Sequence, residues 1–131
     1  MKYILMMISN QVGVDTYRAW SPSDVQTHFA YLKVLNRELA ESGELVQVQR
    51  LTPPEQAKVV RAGKDGEPVT DGIFPESKEF LLGYWLVDVE SAGRAYEIAA
   101  RLSGGPGPGG TRLCMPIEVR QFMTESAAAD L

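Results

Sequence analysis

The chain has 131 residues, 44% of them hydrophobic, enough for a single domain that buries roughly 70% of its unfolded surface. Thirteen basic and seventeen acidic residues give a formal net charge of −4, and no Lys/Arg cluster or aromatic RNA-binding run supplies a phosphate-tracking surface, which argues against nucleic acid. The single cysteine, Cys114, excludes an internal disulfide and a cysteine metal cluster; no stretch approaches the ~18 apolar residues of a membrane span, and the apolar start is too short for a secretory signal, so a cytoplasmic protein without membrane contact is expected.

Lys2 to Ile8 reads as a strand that is apolar on both faces, Ile4, Met6 and Ile8 on one and Tyr3, Leu5 and Met7 on the other, and so belongs in the middle of a sheet. Ser9 to Trp20 lacks periodicity and is expected to be a loop. Ser21-Pro22-Ser23-Asp24 starts a helix with a serine N-cap, proline at the first helical position and an acid at the third. Val25, Phe29, Leu32, Leu35 and Leu39 form its apolar stripe, and Gly43 ends it. Glu44 to Arg50 alternates as a half-exposed edge strand does. Thr52-Pro53-Pro54 breaks regular structure, and Gln56–Ala62 and Glu67–Thr70 flank Gly63-Lys64-Asp65-Gly66, a hairpin signal.

Asp71-Gly72 reads as a tight turn, followed by the rigid Pro75 and the polar run Glu76, Ser77, Lys78 and Glu79. Phe80 to Val89 is a second strand that is apolar on both faces, with Tyr84 and Trp85 on opposite sides. Gly83 in its middle implies either a bulge or a ligand or partner backbone lying against it. Ser91 caps a second helix with Ala92, Ala95, Tyr96, Ala99 and Leu102 on its apolar side. Ser103 to Thr111 is too rich in glycine and proline for regular structure and is expected to be a mobile loop. It is not a phosphate loop, because no Gly-Lys-Ser/Thr and no helix follow. Met115 to Met123 is a last strand, placed at an edge by Pro116. Cys114, just before it, is expected to be small, partly buried and unreactive. Residues 1–123 thus form one domain, and the tail from Thr124 is expected to be disordered.

Strand, helix, strand, strand, helix, strand, with the first and third strands apolar on both faces, is the pattern of an α+β ferredoxin-like β-α-β-β-α-β sheet with an extra hairpin before the third main strand. Two helices cover one face only. The other apolar face needs a partner, most simply a second copy, so a homodimer through the helix-free face is expected.

The stretch from Asp71 onward resembles the DGPF group of the YCII-related family, whose pattern is Asp-Gly-Pro-Phe, a short charged run and a glycine-containing aromatic strand. Here it stands as Asp71-Gly72-Ile73-Phe74, Pro75-Glu76-Ser77-Lys78-Glu79 and Leu82-Gly83-Tyr84-Trp85, with Ile73 in place of the family's proline. The resemblance, which extends over most of the chain, implies a dimeric α+β barrel and a pocket that uses a histidine and an aspartate. It implies no particular reaction.

The single histidine, His28, lies on or beside the buried side of the first long helix, where the plainest role is a packed, hydrogen-bonded core residue. The resemblance instead pairs it with Asp71, as a carboxylate that fixes the imidazole tautomer and raises its pKa for general acid/base work. Asp71 alone could equally be a turn residue bonding its own backbone. Gly72, Glu76, Ser77, Lys78 and Glu79 would then contact a small polar ligand, or form a solvated charged rim. No metal set and no cofactor motif is visible. Two functions remain: a cofactor-independent enzyme using His28 and Asp71, or a dimeric module that binds a small molecule without turning it over.

Overall fold

A computed structural model of the chain describes residues 1–72 and 79–124. Strand β1 (Lys2–Asn10) leads into helix α1 (Gln11–Arg18), helix α2 (Pro22–Glu41) and strand β2 (Leu45–Arg50). A hairpin of β3 (Lys58–Ala62) and β4 (Pro68–Gly72) precedes β5 (Glu79–Asp88), α3 (Ala92–Ser103) and β6 (Ile117–Gln121). The result is a mixed α+β fold in which four antiparallel strands run in the order β2-β5-β1-β6, while β3 and β4 form a sheet of their own.

The two apolar strands are the central pair, with Leu5 opposite Trp85 and Tyr3 opposite Val87. These side chains meet Leu32, Leu35 and Leu39 of α2 and Ala95, Ile98, Ala99 and Leu102 of α3, so both long helices cover one face. On the opposite face Ile4 pairs with Leu86 and Met6 with Tyr84, and all four remain partly exposed. The α3 stripe differs from expectation: Ile98 is fully buried, while Tyr96 is 58% exposed.

Helix α2 begins and ends by local chemistry. Ser21 Oγ accepts from the Asp24 amide, and Pro22 occupies the first turn. At the other end Gly43, at φ +80°, lets its own N–H reach Ala40 O and that of Glu44 reach Leu39 O, a Schellman closure. Gly83 is required by packing instead. A Cβ there would lie 2.8 Å from the Gln49 carbonyl oxygen, so β2 can approach β5 only because this side chain is missing.

Four further expectations are corrected. The segment read as a loop after β1 contains α1, capped by Asn10, whose Oδ1 accepts from the Gly13 amide. Only Val14 of this helix is buried, so one inward residue in two turns left no periodic stripe. Asp71 and Gly72 do not form a tight turn; they continue β4 opposite Val59 and Lys58, and the turn glycine with φ > 0 is Gly66. Finally, the glycine- and proline-rich segment after α3, expected to be mobile, is docked. Gly105 and Gly107 are buried, Pro106 bridges to Arg112, and the Gly109 amide reaches Asp24 Oδ1. Cys114 is also exposed, where a partly buried side chain was expected. Among the described residues, no helix is long and apolar enough to cross a membrane.

Candidate functional site

A cavity of about 850 Å³ opens between α1, α2, the ends of β1 and β2, and the segment before β6. Its wall is largely aromatic and aliphatic, with Tyr17, Trp20, Phe29, Leu32 and Trp85, and carries a few polar groups, among them Asn36, His28 and Arg50. Such apolar concavities with a few placed polar groups are the usual form of small-molecule sites. Trp85 donates from Nε1 to Asn36 Oδ1 at 2.8 Å, which fixes the indole where β5 meets α2. At the rim, Arg18 grips both carboxylate oxygens of Glu55 at 2.6 and 2.9 Å and ties α1 to the short turn before β3.

His28 continues the buried stripe of α2 one turn before Leu32 and is 5% exposed. Its ring stands edge-on to Trp20 at 5.6 Å and to Phe29 at 5.7 Å. Nδ1 lies 3.1 Å from the Pro106 carbonyl oxygen. A carbonyl only accepts, so Nδ1 carries the proton and the lone pair resides on Nε2. Burial pushes the imidazole below its usual pKa of 6.5, against the raising effect of the Pro106 bond, and the Arg50 charge adds to the lowering. The ring is therefore neutral at pH 7. Gly105 makes the arrangement possible, because a Cβ there would sit 3.2 Å from His28 Cε1 and 3.3 Å from Nδ1.

Arg50 ends β2, with its guanidinium 4.2 Å above the centre of the Phe29 ring. It also neighbours Tyr17, whose phenol is pushed upward by burial and held back by the Arg50 charge and hydrogen bond. His28 and Arg50 thus border one aromatic ring.

The other residues read from the sequence are distributed differently. Asp71 is exposed on β4, and its Oδ1 accepts from the Gly72 amide at 2.9 Å. It does not line the cavity, so the wall that holds His28 does not hold Asp71. Gly72 is likewise exposed at the end of the hairpin. Glu79, by contrast, lines the cavity with His28. Glu76, Ser77 and Lys78 lie outside the described residues. Sequence reasoning missed Arg50, Tyr17 and Trp20. An arginine at the end of an alternating strand reads as solvated, and the two aromatics fell in the segment taken for a loop. Among the described residues, no three His, Cys, Asp or Glu side chains are grouped to hold a metal ion.

A small α+β domain with a preformed aromatic cavity and one neutral histidine on its wall is the class defined by these features. The sequence matches the YCII-related domain over residues 1–105, and the chain belongs to that family. It is also similar to an uncharacterised protein of Rhizobium meliloti (strain 1021), 36% identical over 85 residues that cover 65% of this chain and 68% of the relative.

Proposed function

We propose that the chain is a cofactor-independent acid/base enzyme that acts on a small polar molecule in this cavity, with His28 accepting the proton at Nε2. The observation that carries the reading is the bond to Pro106 O from Nδ1 of His28, a residue of the cavity wall. A neutral imidazole held in that tautomer is a ready general base. In this reading Pro106 takes the orienting role that a carboxylate plays in other sites, and Asp71 stays with the hairpin. Glu79 is the acidic group that meets the substrate. The test is deuterium exchange into small keto acids in D2O. Wild-type chain should accelerate exchange at the acidic carbon, and His28→Gln should abolish the acceleration while the fold persists.

A second reading, binding without turnover, is favoured by one observation. His28 is nearly buried and packed against Trp20 and Phe29, as a structural histidine is. Saturable binding of keto acids with no exchange would select it.

Strand order β2-β5-β1-β6 with both long helices on one face supports a ferredoxin-like β-α-β-β-α-β core with the β3–β4 hairpin inserted. The partly exposed Ile4, Met6, Tyr84 and Leu86 support pairing of two copies through the uncovered face, as in a dimeric α+β barrel.

A further inference from the structure

We propose that the ligand of this cavity is a small planar carboxylate, received by Arg50 at the mouth with its apolar ring lying along Phe29 toward His28. The inference rests on the proposed function only in placing the ligand in that cavity. Arg18, Arg94 and Arg101 each bind a carboxylate at 2.6 to 2.8 Å. Among the described residues Arg50, like Arg37, Arg61, Arg112 and Arg120, has no carboxylate within 4.0 Å, but of these five it is the one that lines the cavity, where it rests on the face of Phe29. Stacking orients a guanidinium without neutralising it, and the neutral Tyr17 phenol that Arg50 also meets does not neutralise it either, so the remaining N–H groups at its edge can receive a carboxylate.

Charge points the same way. The chain as a whole carries −4, yet with Arg18 neutralised by Glu55 the cavity wall still carries Lys33 and Arg50 against the single carboxylate of Glu79 among the described residues. Cations concentrated in a low-dielectric cleft of an acidic protein select an anion. Planarity suits the walls, which carry the aromatic side chains Phe29, Trp20 and Trp85.

Both tryptophans of the chain, Trp20 and Trp85, line the cavity, so intrinsic fluorescence reports its occupancy. Benzoate and its neutral isostere benzamide are titrated into the full-length chain. Benzoate should change the emission saturably and bind about tenfold more tightly than benzamide, the scale of one charge-assisted contact. Arg50→Gln should reduce benzoate to the benzamide level and leave benzamide unchanged, which also establishes that the variant is folded. Should Arg50→Gln not fold, Arg50→Lys, which keeps the charge but loses the fork, should weaken benzoate alone. Equal binding of the two probes, no binding of either, or a benzoate preference that the substitution leaves undiminished overturns the proposal. The His28 ring proton, followed by NMR in the same titration, separates the two readings. Arg50-dependent benzoate binding that leaves His28 unperturbed keeps the carboxylate site and removes His28 from the chemistry, whereas a His28 response to both probes alike does the reverse.

Discussion

The carbonyl oxygen of Pro106 lies 3.1 Å from Nδ1 of His28, joining two positions 78 residues apart in the sequence. Through this contact a segment without regular secondary structure decides which nitrogen of the histidine keeps its lone pair.

The His28 titration tests that environment, and it is unambiguous because the chain has one histidine. The folded-state pKa should lie below 6.5, with burial as the main cause. The unfolded chain then binds the extra proton more readily, so the associated stability is complete above the unfolded pKa and is lost as pH falls from about 6.5 toward the folded value. His28→Gln should remove this part of the acid slope in a melting-temperature series. Asp71→Asn should leave the His28 pKa unmoved; a fall would bring Asp71 back into contact with the ring.

Gly105→Ala places a methyl group within 3.2 Å of His28 Cε1 and 3.3 Å of Nδ1, both atoms of a rigid ring. The variant should lose about 1–3 kcal/mol in urea denaturation, the usual cost of overpacking, and should shift the His28 ring resonances. Unchanged stability and unchanged shifts would mean that the loop does not press on the ring.

Deletion of Gly104 to Gly109 should lower the melting temperature clearly. The segment contributes buried Gly105 and Gly107, the Pro106 bond to His28 and the Gly109 bond to Asp24. A melting curve that superimposes on that of the intact chain would return the segment to the mobile state expected from its composition.

The central strands, the ends of α2 and the hairpin turn were legible because each has a local cause. Two-sided apolar runs mark β1 and β5, Ser21 and Gly43 bound α2, and Gly66 supplies the positive φ of the turn. Helix α1 was not legible, since only Val14 points inward. The docked loop was not legible either: glycine and proline exclude regular structure, but whether a backbone packs depends on what it meets, here a ring contributed by α2. His28 was visible as the lone histidine on a buried stripe. Its partner was not, because a backbone carbonyl has no signature in composition, and Arg50 gained its place only when β2 lay against Phe29.

Among the described residues Arg94 carries the best-shielded ion pair, reaching both oxygens of Glu44 at 2.8 and 2.9 Å and also Glu97 at 3.2 Å. It joins α3 to the start of β2, and it holds the Glu44 carboxyl below its ordinary pKa. Solvent still reaches both side chains, so Arg94→Ala should cost only about 1 kcal/mol, and the difference should shrink in high salt. A loss that ignores salt would indicate that packing of the arginine stem, not charge, is what matters.

Pairing through the uncovered sheet face predicts a dimer by light scattering at micromolar concentration, converted to monomer by Tyr84→Arg. A wild-type chain that scatters as a folded monomer at that concentration would remove the barrel arrangement.

Among the described residues, the hairpin formed by β3 and β4 shares no hydrogen-bonded ladder with the main sheet, and nearly all of its residues are exposed. Two strands alone are marginal in water, so their opening need not await the loss of the core. Amide hydrogen exchange should therefore divide the chain into two populations. The hairpin amides should exchange by local opening, at rates indifferent to mild denaturant, while those joining β1 to β5 exchange only when the whole molecule unfolds. A protease that cuts between Gly63 and Gly66 would then nick the folded protein without first unfolding it.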